Sequence, residues 1–265
     1  MFKPNLDLMR ASGLGWRYGD RWIFRHLDLH LAAGELTAIL GPNGCGKSTL
    51  LSLLSGTVPP QEGTISHCAR GLAVVPQSLS LSLPFSGMDM VLLGRARGVS
   101  LFSSPDEADY RAAREALSRV KAFHLASRAF STLSGGEQQL VLIARALAAE
   151  CPVMLLDEPT AALDWHHQAH VLDLLRGLAD EGLAVAFTTH SPQHALDFAD
   201  KVMLMISAEK QIVGVPDEVL SEETLSGLYR LTVRRLRDSS GNFSTAIPVF
   251  RSSKPDHHAQ RQTSF

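Results

Sequence analysis

A glycine-rich segment at residues 41–48 constrains the fold of this chain more than any other part of its 265 residues. It reads Gly-Pro-Asn-Gly-Cys-Gly-Lys-Ser and fits the pattern G-x-x-x-x-G-K-[S/T]. An apolar run at 36–40 precedes it, and leucines at helical spacing follow over 48–55. A buried strand, a glycine-rich loop and a helix in this order present backbone N–H groups and a helix amino terminus to a phosphate. The segment therefore predicts a P-loop at the end of a buried strand.

The residue types in this loop have separate tasks at a nucleotide. Glycines let the backbone wrap the β-phosphate, and the helix amino terminus adds partial positive charge. Lys47 is expected to bridge the β- and γ-phosphates, and the hydroxyl of Ser48 is expected to ligate Mg²⁺. The loop therefore indicates a protein that binds a nucleoside triphosphate.

A second motif is the apolar run 153–156, which ends in Asp157 and Glu158. A short, nearly all-apolar run is typical of a strand buried on both faces of a parallel sheet. Asp157 is expected to hold Mg²⁺ through water, and Glu158 to polarise the attacking water, because phosphoryl transfer depends mainly on positioning and electrostatic stabilisation. These two motifs also fit a small-molecule kinase, a GTPase or a helicase-like motor.

A third motif separates these classes. Residues 133–139 read Leu-Ser-Gly-Gly-Glu-Gln-Gln and are followed by a helical run. This segment resembles the signature of ABC ATPases, a second phosphate-binding helix amino terminus within the same chain. Leu140 stands where an Arg often follows the glutamine in that family, which puts the interdomain contact made there in doubt.

Further motifs of the ABC ATPase family follow in order, and the resemblance covers nearly the whole chain through about residue 249. They are Tyr18 before Gly19 as the aromatic that stacks on adenine, Gln77 as the Q-loop, residues 162–164 as the D-loop, and His190 after two threonines as the switch histidine. The resemblance implies ATP and Mg²⁺ as cofactors. It also implies that two copies stack head to tail, with each ATP between the P-loop of one copy and the signature of the other.

The resemblance assigns three sets of site residues. The catalytic set is Glu158, His190, Lys47 and Gln77; the magnesium set is Ser48, Gln77 and Asp157; and the ATP-binding set is Tyr18, Gly41, Pro42, Asn43, Gly44, Cys45, Gly46, Lys47, Ser48, Thr49, Ser134, Gly135, Gly136 and Asp164.

Two of these interpretations have competitors in the sequence. Trp16 competes with Tyr18 for the adenine, and an aromatic at either position could simply pack against its neighbours. His166, His167 and His170 include an i, i+4 pair that could bind a metal, although a solvated helix face is the favoured interpretation. Mg²⁺ is therefore the one metal that we predict.

The fold class predicted is α/β, a P-loop ABC ATPase core with a parallel sheet, an antiparallel β subdomain and an inserted helical subdomain. Residues 22–31 alternate as a half-buried strand, and 183–188 form another buried strand. Composition turns helical between about 88 and 150, which predicts the inserted subdomain. A terminal hairpin is predicted at about 229–250, around the turn residues 239–242. The ABC domain would span 1–250, followed by a flexible tail at 251–265.

Composition limits the setting in which the chain works. The formal charge of −2 gives no broad basic excess, so nucleic acid is not an expected partner. Residues 1–10 lack the apolar core of a signal peptide, and no stretch approaches the roughly 18 apolar residues of a spanning helix. Three distant cysteines suit a reducing compartment. We therefore expect a cytoplasmic protein, with another chain crossing any membrane at which it works.

A single ATPase domain without a spanning segment looks like the separate ATPase subunit of a bacterial ABC transporter. Residues 93–95 and 101–105 are similar to the segment that lies against the permease in importers of iron chelates, haem and cobalamin. Residues 44–47, 63–77 and 187–190 look most like the molybdate and tungstate branch, and both cargo classes stay open. The implied partners are an integral-membrane permease in two copies, a second copy of this chain and, indirectly, a periplasmic or surface substrate-binding protein. The implied place is the cytoplasmic side of the bacterial inner membrane.

Two other function classes compete with this interpretation. A soluble ABC ATPase of iron–sulfur cluster assembly would share the motifs and lack the permease. A P-loop kinase would need a lid and an acceptor pocket where this chain has residues 133–139, and it would consume ATP only with an acceptor. ABC ATPases of DNA repair carry a long coiled coil, and those of the ribosome carry two ATPase domains in one chain, so neither fits.

Overall fold

The computed structural model describes residues 7–67, 71–79, 85–96, 104–161, 163–237 and 244–250. Its strands are Asp7–Tyr18 (β1), Arg21–Ala32 (β2), Leu36–Leu40 (β3), Glu62–His67 (β4), Leu72–Val75 (β5), Val153–Leu156 (β6), Ala184–Thr189 (β7), Lys201–Ser207 (β8), Lys210–Gly214 (β9), Val233–Arg237 (β10) and Ser244–Pro248 (β11). Its α-helices are Lys47–Leu54 (α1), Gly87–Leu92 (α2), Glu107–Arg119 (α3), Gly135–Ala148 (α4), Trp165–Asp180 (α5), Pro192–Phe198 (α6), Pro216–Val219 (α7) and Glu222–Tyr229 (α8). The cysteine at 68, the D-loop residue at 162, the segment 97–103, the hairpin turn and the tail 251–265 lie outside the described residues.

The central sheet has the order β5-β6-β7-β3-β8-β9, and every pairing is parallel except that of β9 with β8. Strands β3, β6 and β7 of this sheet are buried on both faces. In β3, Ala38 packs into one hydrophobic cluster and Ile39 into the other. In β6, Met154 and Leu155 divide between the same two clusters. The prediction of an α/β core with doubly buried parallel strands is therefore confirmed.

A smaller antiparallel sheet, β2-β1-β4, covers one face of the core together with α1. The alternation predicted for 22–31 holds over 27–31, is interrupted at His26, and is absent at the start of β2, where the consecutive Ile23 and Phe24 both pack into the same cluster. Leu27 pairs with Leu14 and Phe24 pairs with Trp16, so β2 carries one extra residue between these pairs. His26 has a φ of 54°, which marks a β-bulge. The bulge restores the inward direction of Phe24, which is fully buried.

Three helices, α2, α3 and α4, pack together beside the other face of the sheet, within the segment predicted to be an inserted subdomain. Each begins with a reciprocal capping box, in which the side chain of the N-cap residue and that of the third helical residue accept each other's backbone N–H. The N-cap residues are Ser86, Asp106 and Ser134. The sequence therefore specifies where each of these helices starts.

Strands β10 and β11 form a hairpin near the end of the described chain. The side chain of Gln193 on α6 donates to the carbonyl of Ser244 at 3.0 Å, which ties the hairpin to the core. Arg235 on β10 pairs with Asp217 at 2.6 Å. None of the described helices is long and apolar enough to cross a membrane.

Candidate functional site

The P-loop lies between the carboxyl end of β3 and the start of α1. Gly44 and Gly46 adopt φ values of 77° and 102°, which L side chains rarely reach. A Cβ on Gly46 would also lie 2.3 Å from Cγ2 of Ile23, so the loop passes too close to β2 for any side chain there. These glycines let the loop curve so that the amino terminus of α1 opens toward a phosphate.

A cavity of about 320 Å³ opens beside this loop. Most of its lining belongs to the predicted ATP-binding set, and Ile23 of β2 is an addition that the sequence did not point to. The residues that line it are Tyr18, Ile23, Asn43, Gly44, Gly46, Lys47, Ser48, Thr49 and Glu158. Gly41, Pro42 and Cys45 belong to the same loop but are not part of this lining. Burial raises the pKa of the Cys45 thiol, which keeps it in the uncharged form.

Tyr18 and Trp16 meet edge to face, with ring centroids 6.0 Å apart. Tyr18 is 61% exposed and lines the cavity, whereas Trp16 is half-buried against the smaller sheet. An exposed ring beside a phosphate-binding loop can accept a stacked base. Of the two competing aromatics, Tyr18 is therefore the one that the fold presents to a ligand.

Lys47 is 6% exposed although it is charged. Its Nζ donates to the carbonyl of Gly41 at 3.0 Å and lies 3.5 Å from Oε1 of Glu158. A buried cation is costly unless it is hydrogen-bonded or paired, so these contacts hold Lys47 in place. The fold thereby aims one ammonium group at the inside of the P-loop.

Asp157 and Glu158 leave the carboxyl end of β6 and are held there by Thr188 of β7. The Thr188 hydroxyl donates to Oδ1 of Asp157 at 2.7 Å and accepts from the backbone N–H of Glu158 at 2.7 Å. Glu158 has a φ of 43°, an unfavourable conformation for a residue with a side chain. Thr188 therefore orients the carboxylate of Asp157 and anchors the backbone of Glu158. No motif in the sequence gives Thr188 a role, although a polar residue at the end of a buried strand was the available signal.

The carboxylate of Glu158 is the point at which the predicted catalytic residues meet. Nε2 of Gln77 donates to its Oε2 at 3.5 Å, and Nδ1 of His190 lies 3.8 Å from the same oxygen. Lys47 lies beside the other oxygen. These residues come from four separate parts of the chain, and the order of adjacent parallel strands brings them to one edge of the sheet. All four residues of the predicted catalytic set are therefore neighbours.

His190 is 62% exposed at its side chain, but its backbone is anchored. The hydroxyl of Tyr229 on α8 donates to the His190 carbonyl at 3.1 Å. Burial raises the pKa of Tyr229 to about 12, so the hydroxyl remains a donor throughout the neutral range. Tyr229 lies 39 positions from His190 in the sequence, so no motif of closely spaced residues connects the two.

The signature residues and Asp164 of the D-loop stand at the starts of two helices, outside the lining of the cavity. Ser134 caps α4, and Asp164 caps α5 by accepting from the backbone N–H of His167 at 2.9 Å. That hydrogen bond holds the pKa of the Asp164 carboxyl below its usual range. A Cβ on Gly136 would lie 2.7 Å from the ring of His167, so the two helix starts are in close contact. Ser134, Gly135, Gly136 and Asp164 are not among the residues that line the cavity within one chain.

Residues 24–161 match a family model described as "ABC transporter". The chain is 38% identical to the molybdate import ATP-binding protein MolC of Haemophilus influenzae over 92% of its own length and 97% of the relative. It is also 38% identical to the hemin import ATP-binding protein HmuV of Gloeobacter violaceus, over 87% and 91% of the two chains.

One solved structure is similar over almost the full length. It is described as an inward-facing conformation of a putative metal-chelate type ABC transporter, and its matching chain is 38% identical with a TM-score of 0.87. The match covers 93% of this chain and 99% of that chain. Relatives named as import ATP-binding proteins do not favour the alternative of a cluster-assembly ATPase.

Proposed function

The chain belongs to the ABC transporter family of ATP-binding proteins, and from that membership we propose that it is the ATP-hydrolysing subunit of an importer for a metal complex or a metal oxyanion. The observation that carries the proposal is the convergence of Lys47, Gln77 and His190 on the carboxylate of Glu158, beside a cavity lined by the P-loop. A phosphate-binding loop, a carboxylate and a histidine in contact suit hydrolysis of a terminal phosphate.

ATP would occupy the cavity with its adenine against Tyr18 and its phosphates in the P-loop. Backbone N–H groups around Gly44 and Gly46 and the amino terminus of α1 suit the β-phosphate. Lys47 would neutralise charge at the β- and γ-phosphates, since its ammonium already lies inside the loop. Asn43 and Thr49 complete the lining.

The chemistry of the donor set fits Mg²⁺. Ser48, Gln77 and Asp157 supply a hydroxyl, an amide and a carboxylate, and oxygen atoms of these kinds are the ligands that this hard cation prefers. Thr188 already orients the Asp157 carboxylate through a 2.7 Å hydrogen bond. When bound, the cation would neutralise charge on the phosphate oxygens.

Glu158 would orient and polarise the attacking water, and His190 would stabilise charge that develops on the γ-phosphate. Gln77 contacts the Glu158 carboxylate at 3.5 Å, so a shift of the Q-loop would change the position or the hydrogen bonding of that carboxylate. This gives a physical route from a partner that moves Gln77 to the rate of hydrolysis.

A second copy of the chain would complete the site. Ser134, Gly135 and Gly136 stand at the start of α4, where backbone N–H groups can bind phosphate, yet they lie away from the cavity of their own chain. Asp164 stands beside them at the start of α5. Two copies arranged head to tail would place this surface over the γ-phosphate of the facing copy and exclude water.

The partner that crosses the membrane would be a permease, expected in two copies, with a substrate-binding protein outside the membrane delivering the cargo. The chain would then be peripheral, on the cytoplasmic side of a bacterial inner membrane. The relatives are named for molybdate and for hemin at equal identity, so both cargo classes are carried forward. The permease, rather than this subunit, would contact the cargo.

Two measurements test the proposal. Purified protein should release inorganic phosphate from ATP with water as the acceptor, and Lys47→Ala should bind ATP at least about tenfold more weakly because a charged phosphate contact is lost. Lys210→Ala, on the exposed face of β9, is the matched control and should bind ATP normally. Wild-type affinity in Lys47→Ala would contradict the assignment of the loop.

The transport part of the proposal is tested separately. A tagged Glu158→Gln variant, incubated with ATP and solubilised membranes, should recover a multi-spanning permease, whose binding protein then identifies the cargo. Recovery of cluster-assembly proteins alone would overturn the transport role and leave the ATPase chemistry intact.

A further inference from the structure

His194 on α6 lies four positions after His190, which precedes that helix, and it has no role in the motifs described above. Its side chain is half-buried and contacts three residues from three separate segments. Nδ1 lies 3.4 Å from Oγ1 of Thr160 and 3.3 Å from Oγ1 of Thr189, and Nε2 lies 3.3 Å from Oε1 of Gln168. One imidazole therefore joins the segment that follows β6, the end of β7 and the first turn of α5.

Each of these segments carries a residue of the proposed site. Thr160 follows Glu158 by two positions, and Thr189 directly precedes His190. Gln168 donates from its Nε2 to the carbonyl of Leu163, the residue before Asp164. A displacement of the D-loop would therefore reach His194 through Gln168, and from His194 it would reach the segments that carry Glu158 and His190.

The contacts select one form of the imidazole. Oε1 of Gln168 can only accept, so Nε2 carries the proton and donates to it, and Nδ1 is left to accept from a threonine hydroxyl. The Thr189 hydroxyl already accepts from the backbone N–H of Ser191 at 3.1 Å, so its own proton is free for Nδ1. Burial and the neighbouring His190 lower the pKa of His194, and they outweigh the opposing effect of Asp197. The lowered pKa keeps the imidazole neutral at pH 7.

We propose that His194 is a positioning residue that couples the D-loop to the switch histidine, so that arrival of a second copy at Asp164 aligns His190 and Glu158 in the same chain. The inference rests on the proposed function. It explains how a contact made by a second copy at Asp164 could control hydrolysis in the cavity, because hydrogen bonds through Gln168 and His194 connect the D-loop to the segments that carry Glu158 and His190.

The consequence is a loss of rate without a loss of ATP binding. His194 does not line the cavity, and Thr160, Thr189 and Gln168, which it contacts, lie outside the P-loop, so its removal should leave the dissociation constant for ATP within about twofold of the wild-type value. His194→Ala should lower kcat by about tenfold, since misplacement of catalytic groups is costly even when binding is intact. His194→Asn keeps a polar group near the threonines, and His194→Gln keeps one near Gln168, so each should give an intermediate kcat.

The experiment measures kcat, KM and nucleotide dissociation constants for these variants and for Gln168→Met, with His124→Ala on the exposed surface as the control. Gln168→Met should lower kcat in the same way, and the double variant His194→Ala/Gln168→Met should be no slower than the slower single variant, since both interrupt one connection. Thermal unfolding of each variant separates this effect from a loss of folding.

Two results for His194→Ala would overturn the inference while leaving the proposed function standing. One is a kcat within twofold of the wild-type value, and the other is a parallel loss of ATP binding, kcat and thermal stability, which would indicate a packing role. Additive losses in the double variant would also overturn it. A wild-type protein that releases no phosphate would instead contradict the proposed function itself.

Discussion

The ammonium of Lys47 lies 3.5 Å from Oε1 of Glu158, so the cation proposed to bind phosphate is next to the carboxylate proposed to orient water. Both side chains are largely enclosed, at 6% and 19% exposure. Charges in such an environment interact strongly because the surroundings screen them poorly. A γ-phosphate entering the loop would compete with Glu158 for Lys47 and would be repelled by the Glu158 carboxylate.

This relationship makes Glu158→Gln informative. The variant removes the base and one negative charge while preserving shape, so kcat should fall by about 10²- to 10⁴-fold and ATP should bind more tightly. Phosphate release and titration with a fluorescent nucleotide measure the two effects. Glu107→Gln, on the exposed start of α3, is the control and should behave like the wild type. Unimpaired hydrolysis in Glu158→Gln would remove Glu158 from the catalytic set.

Gly46→Ala tests the geometry of the P-loop. Its φ of 102° and the 2.3 Å approach to Ile23 make any side chain unfavourable, so we expect a destabilisation of about 1–3 kcal/mol together with weaker ATP binding. The control is Gly177→Ala in α5, where no atom apart from the adjacent residues and backbone of that helix lies within 4 Å of the added Cβ. That variant should be stabilised by about 0.5–1 kcal/mol, because alanine favours helix. Chemical denaturation measures the free energy of unfolding of both variants. Equal stability of the two variants would contradict the backbone strain expected for a side chain at position 46.

Thr188→Val tests the residue that orients the Asp157 carboxylate and anchors the Glu158 backbone. Valine keeps the shape but removes the hydroxyl, which leaves the Glu158 N–H without its acceptor and Asp157 without its donor. The expected cost is about 1–3 kcal/mol of stability, with a clear fall in kcat. Thr64→Val, exposed on β4, is the matched control and should change neither quantity. A Thr188→Val enzyme with normal kcat would show that the carboxylates are held by other contacts.

Tyr229 gives a prediction for alkaline pH. Its pKa is raised to about 12 in the folded chain from an ordinary value near 10, so the folded state keeps a proton that the unfolded state loses between these values. The stability contributed by this proton is fully present below pH 10 and falls as the pH rises toward 12. Denaturation at pH 9 and pH 11 should show a smaller loss for Tyr229→Phe than for the wild type. An equal loss in both would mean that other groups govern the alkaline transition.

The same substitution bears on the switch histidine. Tyr229→Phe removes the hydroxyl that donates to the His190 carbonyl, so kcat at pH 7 should fall several-fold, while the ATP dissociation constant stays near the wild-type value. A drop in ATP affinity of equal size would instead place Tyr229 in the support of the P-loop.

The local parts of this protein could be predicted from sequence because their chemistry is local. The P-loop needs a buried strand, closely spaced glycines and a helix start in one continuous run, so residues 36–55 alone specify it. The same holds for the capped start of α4 at Ser134, where Glu137 completes the capping box three positions later. The predicted strands 36–40 and 153–156 have the bounds that the structure gives to β3 and β6.

Other features depended on which strands become neighbours. Sequence resemblance could name Gln77, Glu158 and His190, but their contact follows from the order β5-β6-β7-β3, which brings distant residues to one edge of the sheet. The hydrogen bonds that Thr188, Tyr229 and His194 make around the site also depend on which parts of the chain pack together. The spacing of residues along the sequence does not predict such hydrogen bonds, because they form only after packing has placed the donor and the acceptor within about 3.5 Å. The sequence by itself therefore determined the phosphate-binding loop and the motif residues, and the tertiary structure decided how those residues are held together.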